Sequence, residues 1–358
     1  MAARSTKQYE QAVRSLQPYT PAVAGAPVPD VVVEFLEQPI DEPIRERLGD
    51  AGDGLHTGWD GRGLRLLHEG ASCRLLFGDG GVRLELEPGF PWWRAFGQAI
   101  RPLLSVPIAA GGATVAHASA VTLDGQGIAI AGWAESGKTE VALALCERGA
   151  RIVSDKWTAL AADGTLHAMP VSAGLRAWTI PHLPALRGDL SAAQRSRAAV
   201  GRSVTKAVER LGGRAGGPAA TAALGALRSA AALASRVSLS PADLRGDDED
   251  DRSSAGLEVV VVLRAIDGPP AVRALDTRTA RDRIATTTSY ERHVLEQLDA
   301  RSRYCGGPGI AGHAGLRARD ETILEQVLDG CVVVELAAPF PADPRPAADA
   351  LLTFLHGS

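Results

Sequence analysis

Lysine is nearly missing from this chain. Of its 38 basic residues only four are lysine, at positions 7, 138, 156 and 206, and the other 34 are arginine. A lysine at a given place is therefore evidence that a compact ammonium is wanted there rather than a planar guanidinium. Cysteine is scarce as well. Cys73, Cys146, Cys305 and Cys331 lie far apart and form no C-x-x-C, which argues against a zinc ribbon or a disulfide framework. A reducing cytoplasm is the expected compartment. No apolar run approaches the roughly 18 residues of a membrane span, and the opening MAARSTKQYEQAVRSLQPYT lacks the apolar block of a secretory signal. A net charge of −4 argues against a strongly basic nucleic-acid binder. Neither nucleic acid nor membrane is an expected partner.

What is present is enough for a sizeable core: 358 residues, 45% of them hydrophobic and 22% charged. Residues 1–27 are polar and then rich in Pro, Ala and Gly, and read as a loose tail. Residues 28–104 form a small β-rich module, with VVVEFLE, LRLLHEG, CRLLFGD and VRLELEP separated by Gly and Asp clusters. It closes on a helical stretch opened by Pro91-Trp92-Trp93, where the Trp pair is expected to pack in the core. Residues 105–358 read as one α/β domain. Within it, residues 186–255 are an Ala- and Arg-rich helical insertion that ends in the acidic run 247–251. The insertion fits a mobile lid, a basic surface for an acidic peptide, or a helical pair for self-association, so a homo-oligomer stays open. Strands are expected at 257–266 and 331–336, with helices over about 279–300, 319–329 and 347–355.

The segment 113–160 carries the chemistry. Two β-rich runs, Ala113–Val121 and Gly127–Ala131, join at a turn around Asp124-Gly125. Gly132-Trp133-Ala134-Glu135-Ser136-Gly137-Lys138-Thr139 then fits G-x-x-x-x-G-K-[ST] in full. Glycines let successive N–H groups turn towards phosphate oxygens, and the following helix adds its unpaired donors and positive dipole end. Lys138 is placed to reach the β- and γ-phosphates, and the Thr139 hydroxyl to ligate Mg²⁺. The motif follows the apolar GIAIA and opens an amphipathic helix starting with Glu140 and Val141, and that helix is expected to stop at Gly149. These residues, 132 to 140, are the expected nucleotide-binding set. No N-K-x-D or L-S-G-G-Q is present, which disfavours a GTPase or a transport motor.

Two flanking residues sharpen the reading. His117 sits in V-A-H-A-S-A-V on the strand before the loop strand. Asp155 lies sixteen residues after Thr139, at the carboxyl end of the next strand, where ligands collect in an open α/β sheet. The run from Ala116 to Leu160 resembles the core of the HPr kinase/phosphorylase family and its kinase-only relatives. The features that carry the likeness are His117, Gly125, Ile128–Ala131, Gly132–Thr139, Gly149 and Asp155. The likeness covers about 45 residues well and the remainder only as a strand-and-helix order.

The resemblance implies a P-loop kinase core of the HPr kinase/phosphoenolpyruvate carboxykinase type. It also implies a Mg²⁺- and ATP-dependent transfer of the γ-phosphoryl group to a hydroxyl, usually serine. On that footing Asp155 is general base or metal ligand, Thr139 shares the metal, and His117 positions the carboxylate. Relatives that tailor ribosomal peptide natural products make a peptide or protein acceptor the first expectation. A small-molecule hydroxyl kinase, a bare ATPase and a non-catalytic nucleotide-binding scaffold are the alternatives.

Two departures from the family bear on this. Asp155-Lys156 stands where members commonly carry two aspartates. Lys156 is therefore expected either to contact phosphate or an acidic acceptor, or to be a solvated surface residue, and its ammonium to favour ionised Asp155. The E-x-R-G-x-G-type signature is also missing, with only Gly174–Trp178 faintly like it. Neither the HPr protein as acceptor nor reverse phosphorolysis is expected. Arg176, Arg264 and Arg283 are further candidates to neutralise phosphate charge.

Overall fold

The structure, a computed structural model, describes residues 10, 12, 31–52, 54–78, 81–169, 171, 173–212, 236–239 and 253–357. The chain is mixed α/β and divides into two compact units. The first comprises residues 1–116, 159–163 and 285–327, and the second comprises 117–158, 164–284 and 328–358.

The first unit is built on a six-stranded sheet. Its strands are β1 (Val31–Phe35), β2 (Glu46–Gly52), β3 (Leu55–Trp59), β4 (Leu64–His68), β5 (Ala71–Gly78) and β6 (Gly81–Leu86), in the order β1-β6-β5-β4-β3-β2. All neighbours are antiparallel except β1 and β6, which run parallel. The period of two sorts one set of side chains into an apolar layer of Leu64, Leu66, Leu75, Leu84 and Leu86. The alternate set, Arg65, Arg74 and Glu85, is buried too. Arg65 and Arg74 oppose each other across β4 and β5, and Asp60, Glu85 and Glu87 neutralise them.

Helix α1 then runs from Trp92–Ala95 through a π-turn, Phe96–Ile100, into Arg101–Ala110. Only one residue of the Trp pair is core. Trp92 packs against Phe35 and Phe96, while Trp93 is 58% exposed beneath the Arg94 guanidinium. Adjacent residues on a helix cannot face the same way, so core packing for both was one residue too many. Strand β7 (Ala113–Ala116) follows.

The second unit carries the motif. Its strands are β8 (Ala118–Leu123), β9 (Gln126–Gly132), β10 (Arg151–Ser154), β12 (Thr165–Ala168), β15 (Ser254–Ala265), β16 (Ala271–Ala274) and β17 (Val332–Ala338). Between them in the chain lie β11 (Thr158–Ala161), β13 (Ala173–Arg176) and β14 (Arg236–Leu239). The sheet around the motif runs β10-β8-β9-β15-β17-β16. β9, β15 and β17 are parallel and central, which is why GIAIA and VVVV are apolar without a break. β8 and β9 form a hairpin whose two turn residues, Asp124 (φ 51°) and Gly125 (φ 86°), are both left-handed, as the Asp-Gly pair demands.

Helix α2 (Lys138–Cys146) follows the loop. It is not amphipathic as expected: Val141, Ala142, Leu143, Ala144 and Leu145 are all buried in succession. Ile128, Ile130, Val259, Val261 and Leu263 of the sheet join the same core cluster, together with Ala347, Ala348 and Leu351 of the carboxyl-terminal helix, so apolar residues are needed all round. The helix stops where the sequence said. Gly149 takes φ 95°, and the Ala150 N–H bonds the Leu145 carbonyl in a Schellman closure.

The insertion begins with two helices, α3 (Pro184–Asp189) and α4 (Ala192–Gly212). Ser191 and Gln194 form a reciprocal capping box at the start of α4. It also contains a strand that was not expected, since β14 pairs antiparallel with β13. The acidic run and the rest of the insertion up to residue 252 lie outside the described residues, as does the tail apart from Glu10 and Ala12, while Ser254 and Ala255 already belong to β15. The remaining helices are α5 (Thr277–Glu291), α6 (His293–Tyr304), α7 (Leu316–Asp329) and α8 (Arg345–Gly357). The single helix expected over 279–300 is therefore two. At the break between them, the buried Arg292 pairs with Asp320. Among the described residues no helix is long and apolar enough to cross a membrane.

Candidate functional site

The motif lies between β9 and α2, at the carboxyl end of a parallel strand. Its two glycines are required for different reasons. A Cβ on Gly132 would stand 2.6 Å from the Leu263 carbonyl oxygen, so the close approach of β15 demands glycine there. Gly137 takes φ 96°, and a Cβ on it would also meet the Phe340 ring at 2.9 Å. Glu135 holds a left-handed φ of 59° without being glycine, a conformation that costs energy for a side chain of this kind.

Lys138 is buried, and its ammonium donates to the Gly132 carbonyl at 2.9 Å and the Trp133 carbonyl at 2.6 Å. The point charge is thus fixed under the loop, where a guanidinium fork would not fit the same two acceptors. The Ser136 Oγ is buried with no hydrogen-bond partner among the described residues. Trp133 is 49% exposed on the loop and Ala134 is half-buried.

Asp155 follows the last residue of β10. Its Oδ1 accepts from the Thr139 hydroxyl at 2.8 Å and from the Ser119 hydroxyl at 2.6 Å. The carboxylate is 3% exposed. Burial raises its pKa above the ordinary range, against the opposing pull of the Ser119 and Thr139 bonds and of the Lys156 N–H and ammonium. From the sequence, the neighbouring ammonium was expected to favour ionised Asp155. The fold reverses that, because Lys156 is exposed and its charge is screened by solvent while the carboxylate is not. Glu140, one residue past Thr139, is a second buried carboxyl, likewise raised by burial.

Lys156 sits at the centre of a tight turn. Its φ is 66°, and the Trp157 N–H donates to the Asp155 carbonyl at 2.7 Å, the i-to-i+2 bond of a γ-turn of the rare, strained hand. The turn aims Lys156 outward and drives Trp157 into the core, where it stacks on His117 with centroids 5.1 Å apart and planes at 27°. His117 therefore lies against Trp157, and the bonds that fix Asp155 Oδ1 come from Ser119 and Thr139.

Ser119 went unnoticed in the sequence although it belongs to the quoted VAHASAV. Two residues after His117, on a strand pairing with the loop strand, a hydroxyl was the available signal. Phe340 gave no local signal. Its ring packs against Gly137, meets Trp178 edge-on at 5.7 Å and carries the Arg176 guanidinium 5.5 Å above it. Arg176 in turn pairs with Glu135 of the loop at 2.6 Å. Of the three arginine candidates, only Arg176 contacts the loop. Arg264 and Arg283 are engaged by Glu335.

The oxygen donors gathered here, the Thr139 hydroxyl and the Asp155 carboxylate, are of the hard kind that magnesium takes. Among the described residues no group of three His, Cys, Asp or Glu side chains forms a metal cage. Magnesium in such a site relies on one or two protein oxygens and completes its shell with phosphate and water, so the donor set fits that ion. No protein-family model matches the chain, and no curated protein matches it.

Proposed function

We propose that the chain is an ATP-dependent kinase, with a P-loop core of the HPr kinase/phosphoenolpyruvate carboxykinase type, that phosphorylates a hydroxyl, first of all a serine of a peptide or protein. The observation that carries this is the contact between Thr139 Oγ1 and Asp155 Oδ1, which joins the last residue of the phosphate motif to the one carboxylate the chemistry needs. Loop amides from Gly132 to Thr139 and the amino end of α2 receive the polyphosphate, and Lys138 supplies positive charge beside it. Thr139 and Asp155 would hold magnesium, which when bound neutralises charge on the phosphates.

In the transfer, the acceptor oxygen forms a bond to the γ-phosphorus while the bond to the β–γ bridging oxygen breaks, leaving ADP. The hydroxyl proton passes to Asp155 Oδ2, the oxygen not engaged by Ser119 or Thr139. Ser119 fixes the carboxylate, and the His117–Trp157 stack supports the turn that presents it.

Two observations favour a second reading, a nucleotide-binding scaffold: Asp155 is 3% exposed, and the second aspartate of the resembled family is here an outward-facing lysine. Terminally labelled ATP offered with serine peptides and with small hydroxyl compounds decides between them. The kinase reading expects label in an acceptor, transfer lost in Lys138→Ala, and transfer lost with ATP binding retained in Asp155→Asn. ATP binding without label transfer or ADP formation, indifferent to Asp155→Asn, would establish the scaffold. ADP formation that ignores every acceptor would make the chain a bare ATPase.

A further inference from the structure

β17 reads VVVELAA, an apolar central strand with one carboxylate in it. That residue, Glu335, is 3% exposed, and three guanidiniums from three different elements converge on it. Arg264 of β15 reaches Oε1 at 3.3 Å, Arg273 of β16 reaches the same oxygen at 2.9 Å, and Arg283 of α5 reaches Oε2 at 2.5 Å. One arginine would satisfy a buried carboxylate. Three leave two positive charges in excess, one of them tempered by Asp276, whose carboxylate caps α5 near Arg283. Asp282, the neighbour of Arg283 in α5, is taken by Arg281.

The guanidinium heads are not used up by this contact. Each carries five N–H donors in a rigid fork, and Glu335 takes one or two from each. The side chains of Arg264, Arg273 and Arg283 stay 49%, 64% and 36% exposed. Glu335 acts as a clamp that holds like charges together against their mutual repulsion, with their spare donors turned to solvent. Forks held in this way match carboxylates and phosphates in geometry and lose little side-chain freedom on binding them.

One member of the cluster, Arg264, also lies near the nucleotide motif. β15 is hydrogen-bonded to β9 with Leu263 opposite Gly132, so Arg264 stands one residue beyond the first loop glycine, about one interstrand spacing (~5 Å) away in backbone terms. By alternation Arg264 projects on the face opposite Leu263, away from the core under α2. That is the loop end of the sheet, on the face opposite α2.

We infer that Arg264, Arg273 and Arg283, held by Glu335, form a recognition surface for an acidic peptide, whose neighbouring serine is the acceptor on the kinase reading above. The surface itself needs only the geometry described. The assignment of the bound peptide as acceptor rests on that reading. Three forks suit a short run of two or three carboxylates, and the chain's net charge of −4 gives no wider basic field for a polynucleotide.

The test is fluorescence anisotropy with two labelled synthetic peptides, a serine flanked by aspartates and the same serine flanked by glycines, on the full chain without nucleotide. The acidic peptide is expected to bind at least ten-fold more tightly. The preference should vanish in the Arg264→Gln/Arg273→Gln double variant, which leaves Arg283 on Glu335 and the fold intact by circular dichroism and by unchanged ATP affinity. Equal binding of both peptides, or a preference that survives the double substitution, overturns the surface. A short single-stranded oligonucleotide that displaces the acidic peptide at lower concentration than tetraglutamate overturns it in favour of nucleic acid. Phosphorylation of acidic and neutral peptides at equal rates overturns the assignment of the bound peptide as acceptor and leaves the kinase reading standing. Acidic-peptide binding with no phosphoryl transfer sinks the kinase reading and upholds the surface.

Discussion

The Thr139 hydroxyl and the Asp155 carboxylate, sixteen residues apart in the chain, meet at 2.8 Å. One ends the glycine motif and the other follows the last residue of β10, and the pairing of β10 and β9 with β8 brings them to the same end of the sheet. The contact couples whatever occupies the loop to the protonation of a buried acid.

Asp155→Asn is the sharpest probe of that coupling. On the kinase reading it lowers kcat by roughly 10²–10⁴-fold, the usual worth of a positioned general base, while ATP affinity measured by calorimetry changes little. Because burial disfavours the charge, the neutral amide should also raise Tm at pH 7 by about 2 °C or more in the nucleotide-free protein.

The pH dependence has opposite signs for activity and for stability. On the kinase reading ionised Asp155 accepts the proton, so kcat/KM should fall as pH drops through a value above the ordinary ~3.9 of aspartate. In stability, the raised pKa favours the protonated folded form. That contribution is fully present below the ordinary carboxylate range and is lost as pH rises through the raised value. Pre-steady-state rates and urea midpoints across pH 4–8, compared with Asp155→Asn, check both limbs. An acid limb unchanged in the variant would remove Asp155 from the chemistry.

Lys138→Ala should weaken ATP binding by roughly 10- to 150-fold, the ~1.5–3 kcal/mol of a charged hydrogen bond. Trp133, half-exposed on the same loop, gives the readout. Its emission should change on ATP addition in the wild-type chain, with a midpoint that moves to higher ATP in the variant.

Gly137→Ala meets two obstacles, a left-handed backbone and the Phe340 ring. The first alone costs about 1–2 kcal/mol. Denaturant midpoints should show that Phe340→Ala in the Gly137→Ala background recovers the contact component and leaves the backbone component. Full recovery, or none, would mean that one of the two obstacles is not operating.

Glu135→Gln removes the surface ion pair with Arg176, whose stability value is about 0–1 kcal/mol. The larger expectation is functional. With the loop relieved of a negative charge and Arg176 released, ATP affinity should rise several-fold in titration calorimetry. A fall in affinity would assign Glu135 a direct contact with the nucleotide instead.

The local grammar of this chain was written in its residues. Asp124-Gly125 admits only a tight hairpin, GIAIA followed by the glycine motif gives strand, loop and helix, and Gly149 ends that helix, since each depends on dihedrals or hydrogen bonds within a few positions. Distance was the limit. Ser119 reaches Asp155 across 36 positions, and Phe340 packs on Gly137 from the far end of the chain, contacts that no local periodicity encodes. The ordering of charges was equally a matter of tertiary structure. Whether Asp155 is governed by Lys156 beside it or by its own burial, and whether Arg264 and Arg283 face the phosphate loop or Glu335, depends on which side of a sheet is covered. Adjacency in sequence sets what can interact, and burial decides the strength, because a charge stripped of water responds to its surroundings far more than one left in it.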